Sequence, residues 1–545
     1  MEDRETTLLS TMLSRWEAAV EGTSLPQPPV YDGPDVPINE LIEHTDYVKP
    51  GCCFIARVRT GSDGHPFIRN AVAAGASLII GQRDIEELDV ELGSVPYLQV
   101  QDSAIAEAWL SAAMYEFPSR HLVTIGVTGT DGKTTTTNLI FQVLRSADVR
   151  VGMLSTIKAS IGGSEESLAL HVTTPEAPVI QRYLRKMVDA GLTHCVLEVT
   201  SHSLAQHRVA AIEFDVAVLT NITHEHMDYH GDFQGYFDAK ARLFRVLDGP
   251  IWNLKGENEE KEKIEKSALL NLDNQSFELV SPLIQAKQFT YSIRPAGDVV
   301  AEEIRYSASS TSYELRLPDD TGDRYPVKTS LVGEFNVHNT LAAAGVGYIL
   351  GLSPEEISRG IGTVDVLSGR MESIDGGQDF HVIVDFAHTP NALEKAINAA
   401  QSMTDGRIIT VFGSAGKRDV AKRRLMAEIS ARDADFTVLT VEDPRTESLD
   451  GILRMMADGC ANQGGIEGKD FWRVRDRGQA IYFALSLARP DDLVLICGKG
   501  HEQSMCFETV EYPWDDRQAT RTALEALHNG EPMADLGLPT FEDGS

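Results

Sequence analysis

An α/β fold spread over several domains is what this sequence predicts, and three observations predict it. A phosphate-loop pattern lies between an apolar run and a helix-compatible run at 121–147, and apolar runs ending in polar tips recur on both sides of it. The chain has 545 residues, which is more than one hydrophobic core organises and points to roughly three or four compact units.

Residues 1 to about 118 contain VKPGCCFIARVRTGSDGHPFIRNAVAAGASLII, where short apolar strands alternate with glycine-rich turns and one helical run, so a small α/β module is expected. HLVTIGV (121–127) then reads as a buried strand, GVTGTDGKTTTT (126–137) as its loop, and NLIFQVLRSA (138–147) as the following helix. Glycines at 129 and 132 let backbone N–H groups turn around phosphate oxygens, Lys133 can reach the terminal phosphates, and Thr134 can hold Mg²⁺. Gly129, Thr130, Asp131, Gly132, Lys133, Thr134 and Thr135 are therefore expected to bind ATP. The spacing is GxxGxxGKT, because Val127 stands where the usual motif has its first glycine.

THCVLEV (193–199) and FDVAVLTNI (214–222) read as further buried parallel strands, whose C-terminal ends are where such sheets place ligands. Glu198 ends the first, and His226 follows the second in NITHEHMDYHG; a carboxylate and an imidazole beside a phosphate loop can complete a Mg²⁺ shell. Lys240 falls on an expected helix within DYHGDFQGYFDAKARLF (228–244), where an amine near metal-bound anions can be drawn toward its neutral form and carry CO₂ as a carbamate. The mixed charge run at 255–266 is expected to be a solvated helix or loop. From 368 a second series, FHVIVDFA, RIITVFGSA, FTVLTVED and LVLICGKG, repeats the strand-and-tip pattern, and the tail after 530 is expected to be loosely ordered.

Lys plus Arg number 49 against 81 Asp plus Glu, a net charge of −32 that argues against binding nucleic acid or anionic membrane. The N-terminus has no basic region followed by an apolar core and no 18-residue apolar run occurs, so a cytoplasmic protein is expected. The cysteines at 52, 53, 195, 460, 497 and 506 show no CxxC pairing, which suits reduced thiols rather than a zinc site or disulfide framework.

The phosphate loop, EVTSH, NITHEHMDYHGDFQGYFDAK, LVGEFNVHNTLAA, SGRME, VDFAHTPNALE, VFGSAGKRDVAKRRLM, EDPRTE and GKGHE together resemble the Mur ligases, in the family's order and across residues 40 to 525. Within that family the chain is most similar to the enzymes that add the third amino acid. The resemblance implies three domains: UDP-binding (1–118), central ATP-binding with a mostly parallel sheet (119–367), and Rossmann-like C-terminal (368–545). It implies that ATP phosphorylates the free carboxylate of UDP-MurNAc-L-Ala-D-Glu and that the amine of a diamino acid displaces phosphate. Lys133 and Arg370 would neutralise the transferring group, while Thr134, Glu198, His226 and carbamylated Lys240 would hold two Mg²⁺ ions. Asn339 matches the adenine contact and Asp385 the ribose contact. A monomer without nucleic-acid or stable membrane partners is expected.

On the acceptor side Thr173, Thr174, Ser201, Gln206 and Arg208 match contacts to the muramoyl dipeptide. Val172 replaces an asparagine there, and HTDYVKPG keeps a hydroxyl at Thr45 but has Asp46 where the family has arginine. On the donor side Arg418, Asp443, Arg445, Gly498 and Glu502 match the amino-acid site. Arg445 favours a donor with a second carboxylate, meso-diaminopimelate; if Asp443 instead pairs with Arg445, the pocket suits lysine or ornithine. The other readings are a folate-polyglutamating or cyanophycin-type ligase, against which EDPR and QHRV speak, and a non-catalytic relative, against which Lys133, Glu198, His226 and Lys240 speak.

Overall fold

Branched apolar runs broken by glycine and aspartate build three principal sheets in this computed structural model. It describes residues 6–541 except 60, 89, 157, 168–173, 224, 226, 251, 253–257, 308–309, 319–321 and 365–367. In the first, strands Glu40–Ile42, Cys52–Ile55, Leu78–Gly81 and Tyr97–Gln99 lie side by side in chain order, all parallel. Cys52 to Ile55 is buried throughout, as a strand covered on both faces requires. Helix Ser103–Met114 starts at Asp102, whose carboxylate accepts the Ala104 and Ile105 N–H groups. Its Trp109 stacks between Trp16 and Trp252, at ring centroid distances of 5.7 and 4.9 Å.

The second sheet has 11 strands. Seven parallel strands form its middle, in the order Val151–Leu154, His194–Glu198, Val123–Thr128, Val216–Leu219, Ser267–Asn271, Lys287–Ser292 and Val299–Ser307. Antiparallel strands flank it at both ends. The strand entering the phosphate loop thus lies between those ending at Glu198 and Leu219, and the chain leaves it toward opposite sides. That is the switch point at which open α/β sheets bind ligands. Helices Lys133–Ser146 and Glu334–Ile349 pack together over one face.

The third sheet has His381–Asp385, Leu493–Cys497, Ile408–Phe412, Phe436–Leu439 and Phe471–Arg473 in parallel, with Glu372–Ser373 antiparallel at its edge. All four expected strands of this region are present.

Two expectations are corrected. In the charged run, whose residues 255–257 lie outside the described set, helix Glu259–Lys263 is not wholly solvated. Lys261 is buried, with its ammonium 2.5 Å from Asp215 and 3.0 Å from the Leu122 carbonyl, because Asp215 is itself buried and needs a counter-charge. The tail is docked as far as it is described: Met533 and Leu538 join the C-terminal core and the Thr540 hydroxyl donates to Asp476. Among the described residues no helix is long and apolar enough to cross a membrane.

Candidate active site

The loop after Val123–Thr128 is shaped by the next strand tip. The Asn221 carbonyl accepts the Thr130 N–H at 2.8 Å, its side-chain oxygen accepts the Asp131 N–H at 2.9 Å, and Thr220 donates to the Asp131 carbonyl at 2.7 Å. A Cβ at Gly129 would meet the Thr220 hydroxyl at 1.8 Å; Gly132, at φ 82°, has the Asn339 amide where its Cβ would lie. Both glycines are thus dictated by close approach as well as by conformation. Lys133 curls back to donate to the carbonyls of Gly129 (3.1 Å) and Thr130 (2.8 Å), while Thr134 and Thr135 are buried in the first helical turn.

Glu198 accepts the Thr134 hydroxyl at 3.0 Å and the Thr156 N–H at 3.0 Å. The Thr156 hydroxyl is buried without a partner among the described residues. Two hydroxyls and a carboxylate are hard oxygen donors, the set that suits Mg²⁺. His226 and Thr173 lie outside the described residues. Lys240 sits on helix Phe233–Arg245 and is buried; its Nζ donates to the Gly129 carbonyl at 2.5 Å and lies 4.7 Å from the Tyr236 ring centre. Burial, and then the Lys133 charge, hold its pKa well below that of an ordinary lysine.

The C-terminal sheet brings its strand tips to the same place. Arg370 lies over the Phe386 ring at 4.5 Å and donates to Thr134 at 3.4 Å, while its Nε is buried without a partner among the described residues. Asp385 accepts the N–H groups of Met371 and Ala387, both at 2.8 Å. Asn391 donates to the Asp131 carboxylate at 2.6 Å, and His388 is 3.8 Å from Glu225. Asn339 accepts the Thr136 hydroxyl at 3.1 Å, beside the loop.

Acceptor candidates gather on the other side. Arg208 donates to the Thr174 carbonyl at 2.5 Å and to Gln206 at 2.7 Å, and pairs with Glu176 at 2.8 Å. Ser201 is 3.1 Å from His230, and Gln206 donates to the Tyr229 hydroxyl at 2.9 Å. Glu176 also faces Arg59 at 3.4 Å, which grips Glu43 at 2.6 Å; Arg57 lies 3.5 Å from both Glu43 and Glu107. Three arginines and three glutamates thus join the first sheet's unit to the acceptor candidates. Thr45, in the turn Thr45–Tyr47, stands two residues beyond Glu43.

Among the donor candidates, Asp443 accepts Lys499 Nζ at 3.0 Å and the Cys506 N–H at 2.9 Å. Lys499 also reaches Glu502 at 2.5 Å. Arg445 makes no ion pair among the described residues, and its Nε is buried without a partner. Asp443 therefore does not neutralise Arg445. Arg418 is exposed, and a Cβ at Gly498 would meet Glu442 at 2.3 Å.

Residues 127–347 match the Mur ligase middle domain, and residues 369–500 the Mur ligase glutamate ligase domain. A UDP-N-acetylmuramyl-tripeptide synthetase of Roseiflexus sp. (strain RS-1) is 38% identical over 91% of this chain and 96% of its own. The chain belongs to the Mur ligase family. The UDP-N-acetylmuramoyl-L-alanyl-D-glutamate--2,6-diaminopimelate ligase of Geobacillus kaustophilus (strain HTA426) is 37% identical, with 91% and 96% covered. A solved structure of a ligase of that name superposes with a TM-score of 0.59 at 28% identity, covering 92% of this chain and 98% of its own. MurF from Acinetobacter baumannii, 17% identical with a TM-score of 0.61, shares the fold. In this Mur ligase, sequence reasoning missed Glu225, Asn391, Lys499 and the Glu43, Arg57, Arg59 and Glu176 set. HEH, VDFAHTPNALE and GKGHE contain the first three, but the motifs did not say what those residues meet, and the arginine and glutamate set was not singled out by any of them.

Proposed function

We propose that this Mur ligase joins the D-glutamyl carboxylate of UDP-MurNAc-L-Ala-D-Glu to an amino group of meso-diaminopimelate, converting ATP to ADP and phosphate in the cytoplasm. The observation that carries the donor assignment is Arg445, a guanidinium without a carboxylate partner among the described residues, in a pocket where Asp443 is already paired. A second carboxylate on the donor would complete it. Relatives named for this reaction, at 37% identity, support the same reading.

In the first half-reaction a carboxylate oxygen takes the γ-phosphoryl group, leaving ADP. Lys133, curled over the loop carbonyls, and Arg370, which reaches Thr134 from the C-terminal unit, would offset the charge that develops on the transferred group. Thr134, Glu198, His226 and Lys240 would hold two Mg²⁺ ions, which supply further charge neutralisation when bound. Lys240 would do so as a carbamate: its neutral amine adds CO₂ and releases a proton. In the second half-reaction the donor nitrogen bonds to the acyl carbon, the carbon–oxygen bond breaks, phosphate leaves with its electron pair, and the nitrogen gives up a proton. Arg418 would take the donor's α-carboxylate and Glu502 its distal ammonium, presenting the other nitrogen to the acyl phosphate.

Phosphate release measured with the UDP-MurNAc-dipeptide and meso-diaminopimelate, L-lysine or L-ornithine tests the reading. The expected result is a kcat/KM for diaminopimelate at least about tenfold above the others. Preference for lysine or ornithine overturns the donor assignment, and no phosphate release with any amine overturns the reaction.

A further inference from the structure

The sequence leaves one conflict at the donor site: an acidic residue two positions from the arginine that should read the donor's second carboxylate. Left to themselves, Asp443 and Arg445 would pair, and the arginine would be spent on its neighbour. The structure shows why they do not. Asp443 and Arg445 flank Pro444 with φ values of 35° and 52°, left-handed conformations rare for non-glycine residues. Both are fastened to Cys506, whose N–H is accepted by the Asp443 side chain at 2.9 Å and whose carbonyl accepts the Arg445 N–H at 3.1 Å.

The charge of Asp443 is met by Lys499. Its Nζ lies 3.0 Å from Asp443 and 2.5 Å from Glu502, and its side chain is only 2% exposed. A lysine so buried persists as a cation because two carboxylates share it, and its pKa is raised despite burial. Cys506 alone could orient Asp443, but a backbone N–H carries no net charge to cancel a carboxylate. An uncompensated aspartate beside an uncompensated arginine would draw the two together.

We infer that Lys499 is a specificity-determining residue: by holding and neutralising Asp443 it keeps Arg445 available for the distal carboxylate of a diamino dicarboxylic acid. It acts through Asp443 and is a positioning residue, and the inference rests on the donor reading given above. Sharing Glu502 fits the same role. Lys499 takes Oε2, which leaves the other oxygen of a side chain that is 40% exposed for the donor's ammonium.

The test is kcat/KM for meso-diaminopimelate and for L-lysine on wild type, Lys499→Met, Lys499→Arg, Asp443→Asn and the Lys499→Met/Asp443→Asn double variant, with a melting curve for each. Lys499→Met is expected to lower diaminopimelate use at least about tenfold while changing lysine use less than about threefold, because only the dicarboxylate needs Arg445. Adding Asp443→Asn removes the freed acid and should return the diaminopimelate-to-lysine ratio to within about threefold of wild type. Lys499→Arg, which keeps the charge, should keep the ratio. An equal loss for both amines in a folded Lys499→Met, or no rescue by the second substitution, overturns the inference. Should Lys499→Met fail to fold, Asp443→Asn alone decides. Its ratio should stay near that of wild type, and a rise of about tenfold would show that Asp443 had been neutralising Arg445 after all. Wild-type preference for lysine overturns both the donor reading and this inference, whereas wild-type preference for diaminopimelate with an unchanged Lys499→Met overturns this inference alone.

Discussion

Replacing Asn391 by aspartate is expected to weaken ATP use by pushing the C-terminal unit away from the phosphate loop. Asn391 donates to the Asp131 carboxylate at 2.6 Å, and the loop side of that bond is rigid because Asn221 and Thr220 hold the Asp131 backbone. A hydrogen bond to a charged group contributes about 1.5–3 kcal/mol. Two carboxylates near 4 Å repel by about 4 kcal/mol at an effective dielectric constant of 20, an upper bound because side chains relax. At 1.36 kcal/mol per decade, kcat/KM for ATP should fall between about tenfold and a thousandfold. Asn391→Ala loses the bond without the repulsion and should fall near the lower figure. The decisive variant combines Asp131→Asn with Asn391→Asp, which rebuilds the bond with donor and acceptor exchanged. Phosphate release against ATP concentration, with melting curves to confirm folding, reads all four proteins. If the double variant is no better than Asn391→Asp, the hydrogen bond is not what the residue contributes and the reasoning is refuted.

Lys240→Ala should be nearly inactive in the same assay and regain activity when a short carboxylic acid is supplied; a fully active Lys240→Arg would show that a simple cation suffices. Lys261→Met should cost about 3–5 kcal/mol of stability by stranding buried Asp215, and adding Asp215→Asn should recover much of it; chemical denaturation that shows no loss contradicts the pairing. His194 has its pKa lowered to about 4 by burial, then by Arg150 and Lys261, against a weaker pull from exposed Glu260 at 3.7 Å. Between its unfolded value near 6.5 and its folded value the unfolded chain binds more protons, so stability falls as the pH falls through that window, by at most about 3 kcal/mol. His194→Gln should flatten that part of the melting-temperature profile, and an unchanged slope would count against it.

The phosphate loop was legible because its residues fall in one short run: two glycines, of which Gly132 has φ 82°, and a lysine and threonine opening the helix. The parallel strands His194–Glu198 and Val216–Leu219 beside the loop were legible as well, since burial on both faces leaves an unbroken apolar run. Strands Ser267–Asn271 through Tyr325–Thr329 were not read: the first is buried but only five residues long, and the antiparallel strands after Val299 are partly exposed, Ser310–Arg316 alternating between buried and half-buried residues. Lys261 looked solvated because nothing in a run of Lys and Glu reveals a buried carboxylate 46 residues away. Asn391 and Asp131 are 260 residues apart, and Arg57 and Gln206 are 149 apart. A motif names such residues one at a time and cannot say which of them meet. The donor site shows the same limit: EDPR displayed both charges, but the cation that separates them comes from another strand tip.

The two seams of the molecule are built from different materials. On the N-terminal side, Trp109 against Trp252 belongs to an apolar core that also takes in Ala177 and Ala211 of the central unit, reinforced by the three arginines and three glutamates. On the other side, Asn391 with Asp131, Arg370 with Thr134 and His388 with Glu225 meet across a polar strip, with Phe335 lying against the C-terminal core. Polar contacts exchange for water at small net cost, whereas a stacked indole pair does not. The first unit is therefore expected to stay fixed against the central one. The C-terminal unit, held across contacts that water can replace, is the one expected to part from the central unit more readily.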